Sequence, residues 1–175
     1  MSTLKIPVAS QDHIQGNAEA VCTLVEYGDY QCSNCGEAYP LVKELQKHFG
    51  ERLRFVFRNF PLTKIHAYAQ AAAEVAEFAA GHGKFWPMHD LLFENQKALG
   101  DDLFAQLTAR LGLDAAELQK ALADKTFTDR VSADFSGGVR SGVNGTPTFF
   151  INDQRYDDPM DLDSMIQAIE KALAS

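Results

Sequence analysis

Two cysteines stand three positions apart in Cys32-Ser33-Asn34-Cys35, directly after a short apolar run and at the head of a segment with helical periodicity. At a helix start the first backbone N–H groups lack intrahelical partners and the macrodipole is positive, so a thiolate on Cys32 is stabilised and its pKa falls. Cys35, one turn further on, shares that face and can resolve a mixed disulfide formed at Cys32. The chemistry implied is dithiol–disulfide exchange, with the Cys32–Cys35 pair as the redox group and no further cofactor. Zinc would be the competing use of paired cysteines, but it needs two more ligands. Cys22 sits in the preceding strand, and no second Cys-x-x-Cys or paired histidine is present, so no metal is expected.

Three other positions bear on this chemistry. Glu26 lies six residues before Cys32 on a run that reads as a buried strand, where an unpaired carboxylate is costly. It reads as a proton relay for Cys35 or as a salt-bridged structural carboxylate, and both readings stand at this level. Thr146-Pro147 opens a later strand. An isolated X-Pro bond is ordinarily trans; beside a dithiol a cis bond is expected, leaving the backbone of Thr146 free to pair with an extended peptide. Cys22 reads as a small packed hydrophobe with no catalytic role. The five histidines, at 13, 48, 66, 82 and 89, show no metal-ligand spacing and read as surface or helix-capping residues. The acidic cluster Asp157, Asp158, Asp161 and Asp163 reads as a solvated cap on the last helix.

The elements that must position these residues follow from periodicity. Residues 20–28, rich in β-branched and aromatic side chains, predict a buried strand, and residues 34–49, with apolar positions three and four apart before Gly50, predict a helix. Residues 52–60 alternate basic or polar with apolar side chains, the pattern of a strand with one wetter face. Strand, helix and strand imply a right-handed parallel crossover. From about Leu62 to Ser141 the pattern is helical throughout, in short pieces punctuated by Gly81-His82-Gly83, Leu99-Gly100-Asp101 and Leu111-Gly112. Residues 146–151 and 154–156, joined at Asn152-Asp153, predict an antiparallel hairpin, and residues 160–173 an amphipathic terminal helix.

The chain has 175 residues, 46% hydrophobic and 23% charged, which suits one domain that buries its core without disulfide staples. Its apolar stretches run about eight to ten residues, well short of the roughly 20 a membrane-spanning helix needs. A net charge of -8 repels phosphate backbones and anionic lipid, so neither nucleic acid nor membrane is an expected partner. No apolar core of signal-peptide length precedes Gln11, Asp12 and His13, so a cytoplasmic placement is expected, or a periplasmic one if a signal has been removed. No heptad pattern or large apolar stripe suggests self-association, and a monomer is expected.

The run Val25-Glu26-Tyr27-Gly28-Asp29-Tyr30-Gln31-Cys32-Ser33-Asn34-Cys35-Gly36, the run Phe85-Trp86-Pro87-Met88-His89-Asp90-Leu91-Leu92-Phe93, and Gly145-Thr146-Pro147-Thr148-Phe149-Phe150 together resemble the DsbA-like branch of the thioredoxin superfamily, over about residues 16–172. The resemblance implies an α/β, thioredoxin-like fold with an inserted all-helical subdomain: core residues 1–61 and 142–175, insertion 62–141. It implies a thiol–disulfide oxidoreductase with Cys32 as nucleophile, Cys35 as resolving thiol, Glu26 as buried acid and Pro147 as a cis-proline. Ser33, Asn34, Thr146 and Pro147 would then contact substrate. Partners would be disulfide- or thiol-containing proteins and a redox partner or low-molecular-weight thiol. Strongly oxidising members resemble Cys-Pro-His-Cys here, and their histidine helps hold the thiolate. Ser33-Asn34 offers only neutral donors, so a milder potential is expected, nearer about -270 mV than about -120 mV, with flux toward reduction or isomerisation. The alternative is a peptide-binding or chaperone-like module using the groove beside Pro147. Glutathione-conjugating relatives of the kappa type carry a serine in place of the paired cysteines, which disfavours that activity.

Overall fold

The computed structural model describes residues 2–175. Among these, five strands form one sheet of order β1-β3-β2-β4-β5. The strands are β1 (His13–Gly16), β2 (Cys22–Gly28), β3 (Leu53–Asn59), β4 (Thr148–Ile151) and β5 (Gln154–Tyr156). The α-helices are α1 (Ser33–Phe49), α2 (Ala69–Ala80), α3 (Phe85–Glu94), α4 (Asp101–Arg110), α5 (Ala115–Ala123), α6 (Thr128–Arg140) and α7 (Leu162–Ala174). Helices α2 to α6 thus lie between β3 and β4 in the chain.

β2 and β3 are parallel, with Glu26 opposite Phe57, as a strand–helix–strand crossover requires. The other pairings are antiparallel. β4 runs back along the free side of β2 with Thr148 opposite Tyr27. That register brings the segment just before β4 to the end of β2 from which the cysteine loop departs.

Strand alternation sends β2 side chains into two cores. Leu24 packs with Phe55, Phe57, Phe149 and Ile151, together with Leu45 of α1 and Met165 and Ile169 of α7. Val25 and Tyr27 pack on the opposite face with Val56, Phe60 and Phe150. Burying each such side chain is worth about 1.5–3 kcal/mol, and doing so on both faces makes β2 the rigid centre of the molecule. Helix α6 reaches the second face closely because Gly138 lacks a side chain: a Cβ there would meet Phe60 at 2.7 Å and Tyr27 at 3.0 Å.

Two expectations change, and one strand is added. β3 has no wetter face. Arg58 is buried, and its guanidinium donates to the Asp12 carboxylate at 2.8 and 2.9 Å, to the Tyr27 hydroxyl at 2.8 Å and to the Ile6 carbonyl at 2.8 Å. A basic alternation looks solvated until a distant carboxylate covers it, and here the N-terminal segment supplies one. That segment also contributes β1, four residues too few to show a period. Lastly, the helical block does not begin at its boundary. Residues 62–68 form turns, with Ile65 and His66 both donating backbone N–H groups to the Leu62 carbonyl, so α2 starts only at Ala69.

Candidate active site

β2 ends at Gly28, and Asp29-Tyr30-Gln31 carries the chain to Cys32, which caps α1 with extended backbone (φ -71, ψ 124). The Cys32 side chain makes no capping hydrogen bond of full geometry, but the backbone N–H groups of Asn34 and Cys35 in the first turn help lower its thiol. Cys32 is 7% exposed, Cys35 fully buried, and Ser33 and Asn34 between them exposed. The Cys32 thiol is held down to about 5, first by the hydrogen bond from the Cys35 thiol, against the opposing effect of burial, then by Thr146 and the two backbone N–H groups. Cys35 goes the other way: burial, the bond it gives Cys32 and the nearby Glu26 carboxylate push it well above an ordinary thiol. The pair is thereby polarised into an acidic outer sulfur and a reluctant inner one.

The Thr146–Pro147 peptide bond is cis. As a thiol, Cys32 donates to the Thr146 carbonyl at 3.5 Å, across 114 positions of sequence. The buried Thr146 hydroxyl has no hydrogen-bond partner among the described residues, and Thr146 helps lower the Cys32 thiol. Pro147 has no backbone N–H, so the main chain beside Cys32 presents the Thr146 carbonyl and no donor at Pro147.

Glu26 is 2% exposed and one of its oxygens, Oε2, has no hydrogen-bond partner. Burial raises its carboxyl to about 8, helped by the charge of Cys32. Among the described residues no cation offsets that burial, so the salt-bridged reading is not the one the structure bears. Gly28 leaves room for it: a Cβ there would lie 2.7 Å from Oε2 and 2.5 Å from the Phe57 ring. Cys22, fully buried at the start of β2, is pushed to about 11 by burial, the behaviour of an inert packed thiol.

Sequence reasoning missed four supporting residues. Asp29, 1% exposed, accepts from the Gln31 N–H at 2.8 Å and the Leu62 N–H at 2.9 Å, and lies 2.7 Å from His66 Nδ1. His89, read as a surface residue, is 3% exposed within an aromatic cage, its Nδ1 2.9 Å from the Tyr30 hydroxyl. Gln96, in the short 3-10 turn after α3, donates to the carbonyls of Tyr30 at 2.8 Å and Cys32 at 2.7 Å. Asp29 adjoins the cysteine motif and could have been suspected as a polar residue next to a buried strand. Nothing local marks His66, His89 or Gln96. The groove of about 840 Å³ between β5 and α7, lined by Arg155, Asp158, Gln167 and Lys171 among others, contains none of these residues.

Comparison with known proteins agrees with this geometry. The thioredoxin family model matches residues 9–171. BdbD from Bacillus subtilis superposes with a TM-score of 0.89 at 25% identity, covering 99% of both chains. Wolbachia pipientis alpha-DsbA1 superposes with a TM-score of 0.81 at 20% identity, covering 97% of this chain and 94% of that one. A Na(+)/H(+) antiporter NhaA 3 of Salinispora tropica is 42% identical over 173 residues, 98% of this chain but 26% of that protein. The chain thus spans about a quarter of the length of the curated relatives it matches. No described helix here is long and apolar enough to cross a membrane. The cysteine pair thus sits on a fold shared with BdbD and alpha-DsbA1, and the chain belongs to the thioredoxin family.

Proposed function

We propose that this protein exchanges disulfides with thiol- or disulfide-containing proteins through Cys32 and Cys35. The observation that carries the reading is the position of Cys32: an N-cap thiol held to about 5, beside a buried partner thiol held high. In the reducing direction the Cys32 thiolate attacks one sulfur of a substrate disulfide, forming a mixed disulfide and releasing the other sulfur as a thiolate. Cys35 then loses its proton and attacks Cys32, releasing the second substrate thiolate and closing the Cys32–Cys35 disulfide. Two electrons pass from the pair to the substrate, and the two released thiolates take up protons. Oxidation of a substrate dithiol is the same sequence reversed.

The resolving step needs an acceptor for the Cys35 proton. Glu26 fits it: an uncompensated buried carboxyl with a free oxygen and a pKa of about 8 can take and return a proton near neutrality. Thr146 supplies a backbone edge for an extended substrate, with exposed Ser33 and Asn34 on the near side of Cys32. The redox pair is the only cofactor this scheme uses. A redox partner or a low-molecular-weight thiol resets it.

The test is insulin-disulfide reduction by the wild-type chain and by Cys32→Ser, with thiol trapping of mixed disulfides. Loss of turnover in Cys32→Ser, and a trapped Cys32 adduct in Cys35→Ser, are expected. Turnover that survives Cys32→Ser would overturn the reading. Binding of unfolded protein without any turnover would favour a peptide-binding module instead.

A further inference from the structure

Gln96 reaches out of the helical segment between β3 and β4 and uses its side-chain amide on two backbone carbonyls of the cysteine loop, those of Tyr30 at 2.8 Å and Cys32 at 2.7 Å. These carbonyls flank Gln31 on either side, so one planar NH2 group clamps two peptide planes at once. The Cys32 carbonyl also accepts the Gly36 N–H at 3.1 Å, which closes the first turn of α1. Gly36 lacks a side chain where the clamp passes: a Cβ there would land on the Gln96 side-chain oxygen. Residues 64 apart in sequence thus share one fitted contact at the root of the nucleophile.

We infer that Gln96 is a positioning residue for Cys32, and that Gly36 is the space it requires. Two effects act together. The clamp holds the two peptide planes that carry the Tyr30 and Cys32 carbonyls, which fixes Cys32 at the first turn of α1, where the Asn34 and Cys35 N–H groups help stabilise its thiolate. It also places two donors on the carbonyl oxygens on either side of Gln31, drawing off their negative charge at the residue that carries the thiolate. The amide therefore acts on the sulfur through the backbone and touches neither sulfur nor substrate. The titratable groups facing Cys32 are Cys35 and Glu26, and neither is bonded by Gln96. The inference rests on the exchange activity proposed above.

The experiment is the thiolate absorbance of the reduced protein near 240 nm against pH, in wild type, Gln96→Met, Gly36→Ala and the double variant, with circular dichroism to establish folding. The Cys32 midpoint should rise in Gln96→Met by about one unit, a tenfold loss of thiolate below both midpoints. Gly36→Ala, which keeps the amide but pushes it aside, should move the midpoint the same way. In the double variant the second substitution should add nothing. Either single variant decides the matter if the other does not fold. An unchanged midpoint in a folded single variant, or additive shifts in the double, would overturn the positioning role even if thermal stability fell. A wild-type Cys32 that titrates as an ordinary thiol would overturn the exchange reading itself, a separate result.

Discussion

The carboxylate of Asp29 lies 2.7 Å from His66 Nδ1, while the backbone N–H of the same Asp29 donates to the Cys35 sulfur at 3.4 Å. One buried residue therefore ties the turn after β3 to the inner thiol. The carboxylate also collects the N–H groups of Gln31 and Leu62, at 2.8 and 2.9 Å. Asp29→Ala would leave these donors buried without an acceptor. It should cost about 2–4 kcal/mol of stability, read by urea denaturation of the oxidised protein. A cost below about 1 kcal/mol would mean that water replaces the carboxylate.

The stability of the reduced protein should carry two opposing pH dependences. Cys32 is lowered from 9.0 to about 5, so across that window the folded state has released a proton that the unfolded state keeps. Its contribution therefore grows as pH rises, reaching about 2–3 kcal/mol at pH 7, and is lost as pH falls through about 5. Glu26 is raised from 4.5 to about 8, so the folded state keeps a proton that the unfolded state loses, and stability falls across that interval. Denaturation at pH 5, 6, 7 and 8 should show Glu26→Gln gaining on wild type as pH rises, and Cys32→Ser falling behind it. Parallel curves for all three proteins would contradict both assignments.

Glu26→Gln should also separate the two steps of exchange. Attack by Cys32 needs no acceptor for the Cys35 proton and should keep its rate to within about twofold, whereas resolution by Cys35 should slow by about tenfold or more. Rapid-quench trapping with a small disulfide would then show the mixed disulfide accumulating. Equal slowing of both steps would point to a misplaced sulfur.

The reduction potential should fall between about -270 and -120 mV, titrated against glutathione with thiol trapping. The reason is the Cys32 thiol at about 5, between the values near about 7 and about 3.5 that accompany those two potentials. The Cys35 thiol, Thr146 and two backbone N–H groups stand where stronger oxidants use a histidine. A potential at or below about -270 mV would mean that these donors hold the disulfide form equally well.

Gly28→Ala offers a packing test. The added methyl would meet the Phe57 ring at 2.5 Å and Glu26 Oε2 at 2.7 Å on a strand buried on both faces. A loss of about 1–3 kcal/mol is expected in a thermal melt, and a neutral result would show that Glu26 has room to move.

Much of this molecule is local, and local features can be read from residue order. Helix α1 begins within a residue of where its periodicity places it, because Gly28 ends a strand and Cys32 caps a helix a few positions later. The hairpin at Asn152 is legible because asparagine tolerates the left-handed backbone found there (φ 53). The dithiol and a lowered Cys32 are legible from spacing at a helix start, but the larger causes of the polarity, the Cys35 thiol's hydrogen bond to Cys32 and the burial of Cys35, belong to the packed structure. What depends on partners far along the chain was not legible: Arg58 looked solvated until Asp12 covered it, and His89 looked exposed until Tyr30 and its aromatic neighbours enclosed it. Glu26 could be a relay or an ion pair until the fold placed no cation beside it among the described residues. Gln96 carries no local signal because its two partners are carbonyls of the main chain, which every residue has. Sequence determined the chemistry and the order of the elements, since those depend on residue type and nearest neighbours. Tertiary structure alone decided which charges are paired, buried or free, since burial and hydrogen bonding across tens of residues are set only when the sheet and helices close around them.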